Sequence, residues 1–199
     1  MKKSLKLIVS IIVFTVIFTW ISASASPLSD KHTPGAHIDA HLKEAWTPIQ
    51  IDFLTLHIPT TEHYPNIYGL RVGLPITYKD SAHVYGIDIS ALFSANTYTK
   101  GLQLSVIGTQ ARDLDGLQVS VVNFVKEKIY GLQFGGVNHV KEKLYGLQVG
   151  GVNYVKKASG LQFGLFNYTE DSQGIFQIGV FNIIKNGWLP YSIILNFNF

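Results

Sequence analysis

The chain has 199 residues, with 16 Lys plus Arg, 13 Asp plus Glu and no cysteine, which excludes a disulfide-stapled fold and a cysteine-linked lipid anchor. Lys2, Lys3 and Lys6 sit in a leader-like segment, and setting them aside leaves 13 cations against 13 anions. Such a balance offers no basic surface for nucleic acid.

The first residues, Met1 to Lys6, carry the positive charge, an apolar run follows over 7–21, and Ala23-Ser24-Ala25 supplies small residues at a cleavage position. That layout predicts a cleavable secretory signal over 1–25, since the apolar run is shorter than the roughly 20 residues that span a bilayer. Residues 26–46 are polar and contain Pro27, Pro34 and Gly35, which predicts a flexible arm. His32, His37 and His41 lie there with Asp30 and Asp39 between them. Imidazole and carboxylate suit Zn or Cu, but the spacing matches no closed tetrahedral site, so these histidines are weak metal candidates and no cofactor is expected.

The repeat domain is expected over 47–199. Residues 49–58 (IQIDFLTLHI) read as its first strand, and a turn-rich break follows. From 101 to 182 one phrase then recurs six times, as GLQLSVIG, GLQVSVVN, GLQFGGVN, GLQVGGVN, GLQFGLFN and IFQIGVFN, with a period of 14 or 15 residues. Looser copies begin at Gly69 and Gly86. A period this short reads as one strand and one turn.

Numbering each unit from its glycine, positions two and four are apolar. Position three is Arg71, Asp88, Gln103, Gln118, Gln133, Gln148, Gln162 and, with one inserted residue, Gln177, and position five is Gly or Ser. Side chains alternate across a strand, so one face is apolar and the other is thin and polar, and the position-three column is expected to line a lumen. Arg71 and Asp88 share that column, where opposite charges pair inside a barrel or stand on a solvated face. Nearly all other charges fall in short links such as 126–128 and 141–143, which suit tight hairpins.

In the last stretch Tyr191, Ile193, Leu195, Phe197 and Phe199 occupy alternate positions and the final residue is aromatic. This pattern resembles the assembly signal of bacterial outer-membrane β-barrels. The tandem G-L-Q-x-G-x-x-N units, closed by Asn123, Asn138, Asn153, Asn167 and Asn182, resemble the bacterial surface-repeat proteins. That resemblance implies an exported, envelope or surface location and carries no catalytic residues.

Together these features predict an all-β domain, a small antiparallel up-and-down transmembrane β-barrel of about ten strands, each long enough at about 10 residues to cross a bilayer. Tyr68, Tyr85, Tyr130 and Tyr145 would alternate between its two rims. The alternative is a short-period β-solenoid, in which identical units stack with Gln and Asn ladders. The barrel implies a structural or surface-interaction role, with a narrow pore as a further option and with outer-membrane lipid and the barrel-assembly machinery as partners. The solenoid implies a secreted or surface-attached, adhesin-like module that binds a partner along a repeated face. No catalytic constellation is found, since His57, His63, His83 and His139 join no nucleophile or carboxylate motif, and the protein is not expected to be an enzyme.

Overall fold

The computed structural model describes residues 46–53, 56–58, 66–78 and 82–199, so the expected signal segment and arm residues 26–45, with His32, His37 and His41, lie outside the described residues. The described elements are all strands. β1 (Trp46–Phe53), β2 (Leu56–Ile58), β3 (Asn66–Leu74), β4 (Ile76–Tyr78) and β5 (His83–Ser90) lead in, and β6 (Phe93–Ser105), β7 (Gly108–Val119) and β8 (Val122–Val125) carry the first close repeats. β9 (Lys128–Ile184) runs as extended chain through the remaining units, and β10 (Tyr191–Asn198) ends the fold.

The strands stack in parallel as a β-solenoid, which overturns the expected antiparallel barrel. β3 pairs β5, β5 pairs β6, β6 pairs β7 and β7 pairs β9, always parallel, and the register places Gly69, Gly86, Gly101, Gly116 and Gly131 on one another. A period therefore holds a complete coil rather than one strand. In the coil that begins at Gly131, 129–134 stack on 114–119, a corner follows at 135–136, and 137–140 stack on 122–125. The charged link 141–143 then carries the chain up to the next coil.

Two local features require this stacking. Gly131 has φ +147°, and a Cβ placed on it would lie 1.9 Å from the carbonyl oxygen of Gly116. Only a glycine allows that approach to the carbonyl of the coil before, and Gly69 makes the same approach to the Pro48 carbonyl. The link lengths do not decide the matter, because three residues serve a hairpin or a coil equally well.

The interior is built in strips. Under the charged links lies an apolar strip that includes Leu114, Val125, Ile129, Val140, Leu144 and Val155, all fully buried or nearly so. Next to it, position-three glutamines face position-eight asparagines, and both columns are buried. The polar face read as a wet lumen is thus a closed interior filled by its own side chains. The apolar positions two and four point outward, and the Tyr68–Tyr85 and Tyr130–Tyr145 pairs stack at 4.7 and 4.8 Å along one edge instead of alternating between two rims, because parallel stacking keeps equivalent residues on the same side.

The chain reverses over 185–190, and β10 pairs antiparallel with β9, placing Asn196 opposite Gln177. This reversal ends the stack. The expected strict alternation of β10 is broken by a bulge between Ser192 and Ile194, where Ile194 takes φ 75°. Such a backbone is strained for a β-branched residue. It leaves Ile193 and Ile194 both exposed beside Tyr191 and Phe199, while Asn196 turns inward.

Candidate functional site

The position-three residues form one interior column, each fully buried. Each glutamine donates from Nε2 to the Oε1 of the coil before it, Gln118 to Gln103, Gln133 to Gln118, Gln148 to Gln133, Gln162 to Gln148 and Gln177 to Gln162, at 2.7–2.9 Å. The asparagines form a second ladder of opposite direction, in which Asn123, Asn138, Asn153 and Asn167 each donate at 2.8 Å to the next coil. Their second N–H closes on a backbone carbonyl, as Asn138 does on Val149 O at 2.9 Å. The two aligned rows of amide dipoles oppose each other, and the buried donors are satisfied as burial requires.

The glutamine ladder terminates on charge. Gln103 donates to Ser94 Oγ at 2.8 Å, and Ser94 donates in turn to the Asp88 carboxylate. The amide ends that carry partial positive charge therefore point toward an anion, the same favourable sense as an anion at a helix N-terminus. The pairing expected between Arg71 and Asp88 is indirect: Arg71 donates to Asp52 Oδ2 at 2.6 Å and to Asn96 Oδ1, and Asn96 donates to Asp88 Oδ2 at 2.6 Å. Burial pushes the Asp88 carboxyl above its ordinary range, opposed by the Arg71 guanidinium and by the bonds from Ser94 and Asn96. Sequence reading did not find Asp52 and Asn96. An acidic residue within the apolar run IQIDFLTLHI was the available signal for Asp52; Asn96 carried none.

The ladder residues are closed off from solvent, so the exterior is the surface open to contact. Circling a coil from the charged link, the residue before the glycine is tyrosine at Tyr68, Tyr85, Tyr130 and Tyr145, and Lys100, Asp115, Ser159 and Gln173 in the other coils. Positions two, four, six and seven are aliphatic, phenylalanine or glycine in every G-L-Q coil, and position nine is Phe124, His139, Tyr154 and Tyr168. Leu165 is 66% exposed, Val121 57% and Phe181 56%, far more than isolated surface apolar residues need to explain. Beside the corner an open apolar groove of about 510 Å³ runs between Phe163 and Leu165 and reaches Ile194 of β10.

His139 belongs to this exterior. Its ring lies 4.9 Å from Phe124 and 4.6 Å from Tyr154, and burial, reinforced by the nearby Lys141, lowers its pKa to about 4. It is a neutral member of an aromatic stack.

The C-terminal residues Tyr191, Ile193, Leu195, Phe197 and Phe199 extend the apolar exterior, and Trp188 Nε1 donates to Phe197 O at 2.9 Å. Among the described residues no group of three His, Asp or Glu side chains is arranged to hold a metal ion. No protein-family model, curated protein or solved structure matches the chain.

Proposed function

We propose that this chain is an exported surface-repeat protein that works as a non-catalytic binding scaffold, a β-solenoid engaging its partner along a repeated apolar exterior. The observation that carries the reading is the inversion of the repeat. Hydrogen-bonding side chains are spent on the interior ladders, while leucine, valine and phenylalanine columns face outward at positions two, four, six and seven. A coil that needed only to fold would bury those columns, since each apolar side chain withheld from water is worth roughly 1.5–3 kcal/mol. The layout of residues 1–25 and the G-L-Q-x-G-x-x-N units support export and a surface position.

A photo-cross-linking residue placed in the full chain at Leu132, Leu161 or Lys143 in producing cells tests this. Adducts are expected from Leu132 and Leu161 on the repeated exterior, not from Lys143 in the charged link, with the protein accessible to protease added outside the cells. Adducts from Lys143 alone, or a protein retained in the cytoplasm without adducts at either leucine, would refute the reading.

A further inference from the structure

We propose that the partner of the repeated exterior is a lipid bilayer, and that the solenoid inserts edge-on into one leaflet, corners first, with its axis in the membrane plane. The inference rests on the binding-scaffold reading and names the partner's chemistry.

Three observations point to lipid. The first is the order of residue types around each coil. The charged link is one edge; on one broad face the residue before the glycine is Tyr68, Tyr85, Tyr130 or Tyr145 in four coils and Lys100, Asp115, Ser159 or Gln173 in the others, on the other face position nine is Phe124, His139, Tyr154 and Tyr168, and the outward positions beyond are apolar as far as the opposite corner. At that corner position six is Val106, Val121, Gly136, Gly151, Leu165 and Val180, with no charge. Charged edge, a mixed aromatic and polar belt and an apolar tip is the sequence of environments that a leaflet presents from water inward. A protein partner would not demand this gradient on both broad faces at once.

The second is depth. From Tyr130 to Gly135 at the corner there are five strand residues, about 17 Å at 3.3 Å per residue, against about 15 Å for half of a bilayer's hydrocarbon core. The third is backbone satisfaction at the tip, without which polar groups cannot enter lipid. Ile107 N donates to Leu92 O at 3.0 Å, Val122 N to Ile107 O at 2.9 Å and Val137 N to Val121 O at 3.0 Å. The corners are thus hydrogen-bonded from coil to coil.

The charged edge stays in water and is largely self-neutralised. Arg112 pairs with Glu127 at 2.6 Å, Lys156 with Glu142 at 3.2 Å and Lys185 with Glu170 at 2.9 Å, each between adjacent coils. Insertion is therefore driven by apolar area and does not require anionic headgroups.

The chain has no cysteine, so single cysteines at Val121, Tyr130 and Lys128 of the full chain can carry an environment-sensitive fluorophore. On phosphatidylcholine vesicles the emission is expected to shift most at 121, less at 130 and not at 128, and brominated acyl chains should quench in the same order. Val121→Arg with Leu165→Arg should lower vesicle partitioning roughly fifty-fold or more, whereas Lys128→Gln should leave it unchanged. Equal shifts at 121 and 128, or no vesicle binding, overturn the proposal. If without lipid the label at 121 is buried in a sedimenting oligomer, the face belongs to a second copy and the scaffold reading survives. A label at 121 that stays water-exposed under every condition overturns both.

Discussion

Replacing Gln148 by leucine tests the inverted interior directly. Gln148 is fully buried, donates to Gln133 Oε1 at 2.8 Å and accepts from Gln162 Nε2 at 2.7 Å. Leucine nearly matches its volume but leaves Gln133 Oε1 without that donor, and leaves Gln162 Nε2 with a long contact to Tyr168 O at 3.5 Å. Two under-satisfied buried groups cost about 2–6 kcal/mol together, and the added apolar burial returns about 1–2 kcal/mol, so a net loss of up to roughly 5 kcal/mol, centred near 2–3 kcal/mol, is expected. That is a large share of the 5–15 kcal/mol typical of a domain, and it falls on the coil contacts on both sides of residue 148. The matched control is Leu161→Gln on the exterior, where a half-exposed site predicts a change within about 0.5 kcal/mol. Urea melts followed by far-UV circular dichroism and compared at the midpoint would measure both. A Gln148→Leu protein as stable as the parent, with Leu161→Gln clearly weakened, would mean that the faces are reversed.

Removing the buried cation should be costly in a pH-dependent way. Arg71→Met removes the buried cation beside Asp52 and Asp88 and is expected to lose about 3–5 kcal/mol at pH 7, with partial recovery at acid pH as Asp88, already held above its usual range by burial, takes up a proton. A variant of unchanged stability across pH would show that the node is not ionised. His139 gives the second pH signal. Its folded pKa of about 4 lies below the ordinary 6.5, so its contribution is complete above pH 6.5 and lost as pH falls toward 4, about 3 kcal/mol in all. His139→Phe should abolish this part of the acid profile in thermal melts, and an unchanged profile would place the titration elsewhere.

How the repeat partitions its residues was legible from sequence. Strict alternation is a local property of extended chain, so Leu132 and Phe134 had to point away from Gln133 whatever the strand paired with, and the charges of 126–128 and 141–143 had to sit in links. Which way the chain travels after each link was not legible, because a three-residue link can reverse a strand or complete a coil. In the structure the choice is made by contacts between units. Only glycine at 131 clears the carbonyl of the coil below, and Gln133 and Asn138 complete their side-chain ladders on identical residues one coil away. An antiparallel meander would set Gln118 against Gly135 and break both ladders. The Gly135-Gly136 step, read as strand, is a corner for the same reason. The charged node lay further beyond reach, since Arg71 meets Asp52 and Asn96 across 19 and 25 residues of sequence, and no period within the repeats encodes a contact made only where the irregular first coils stack.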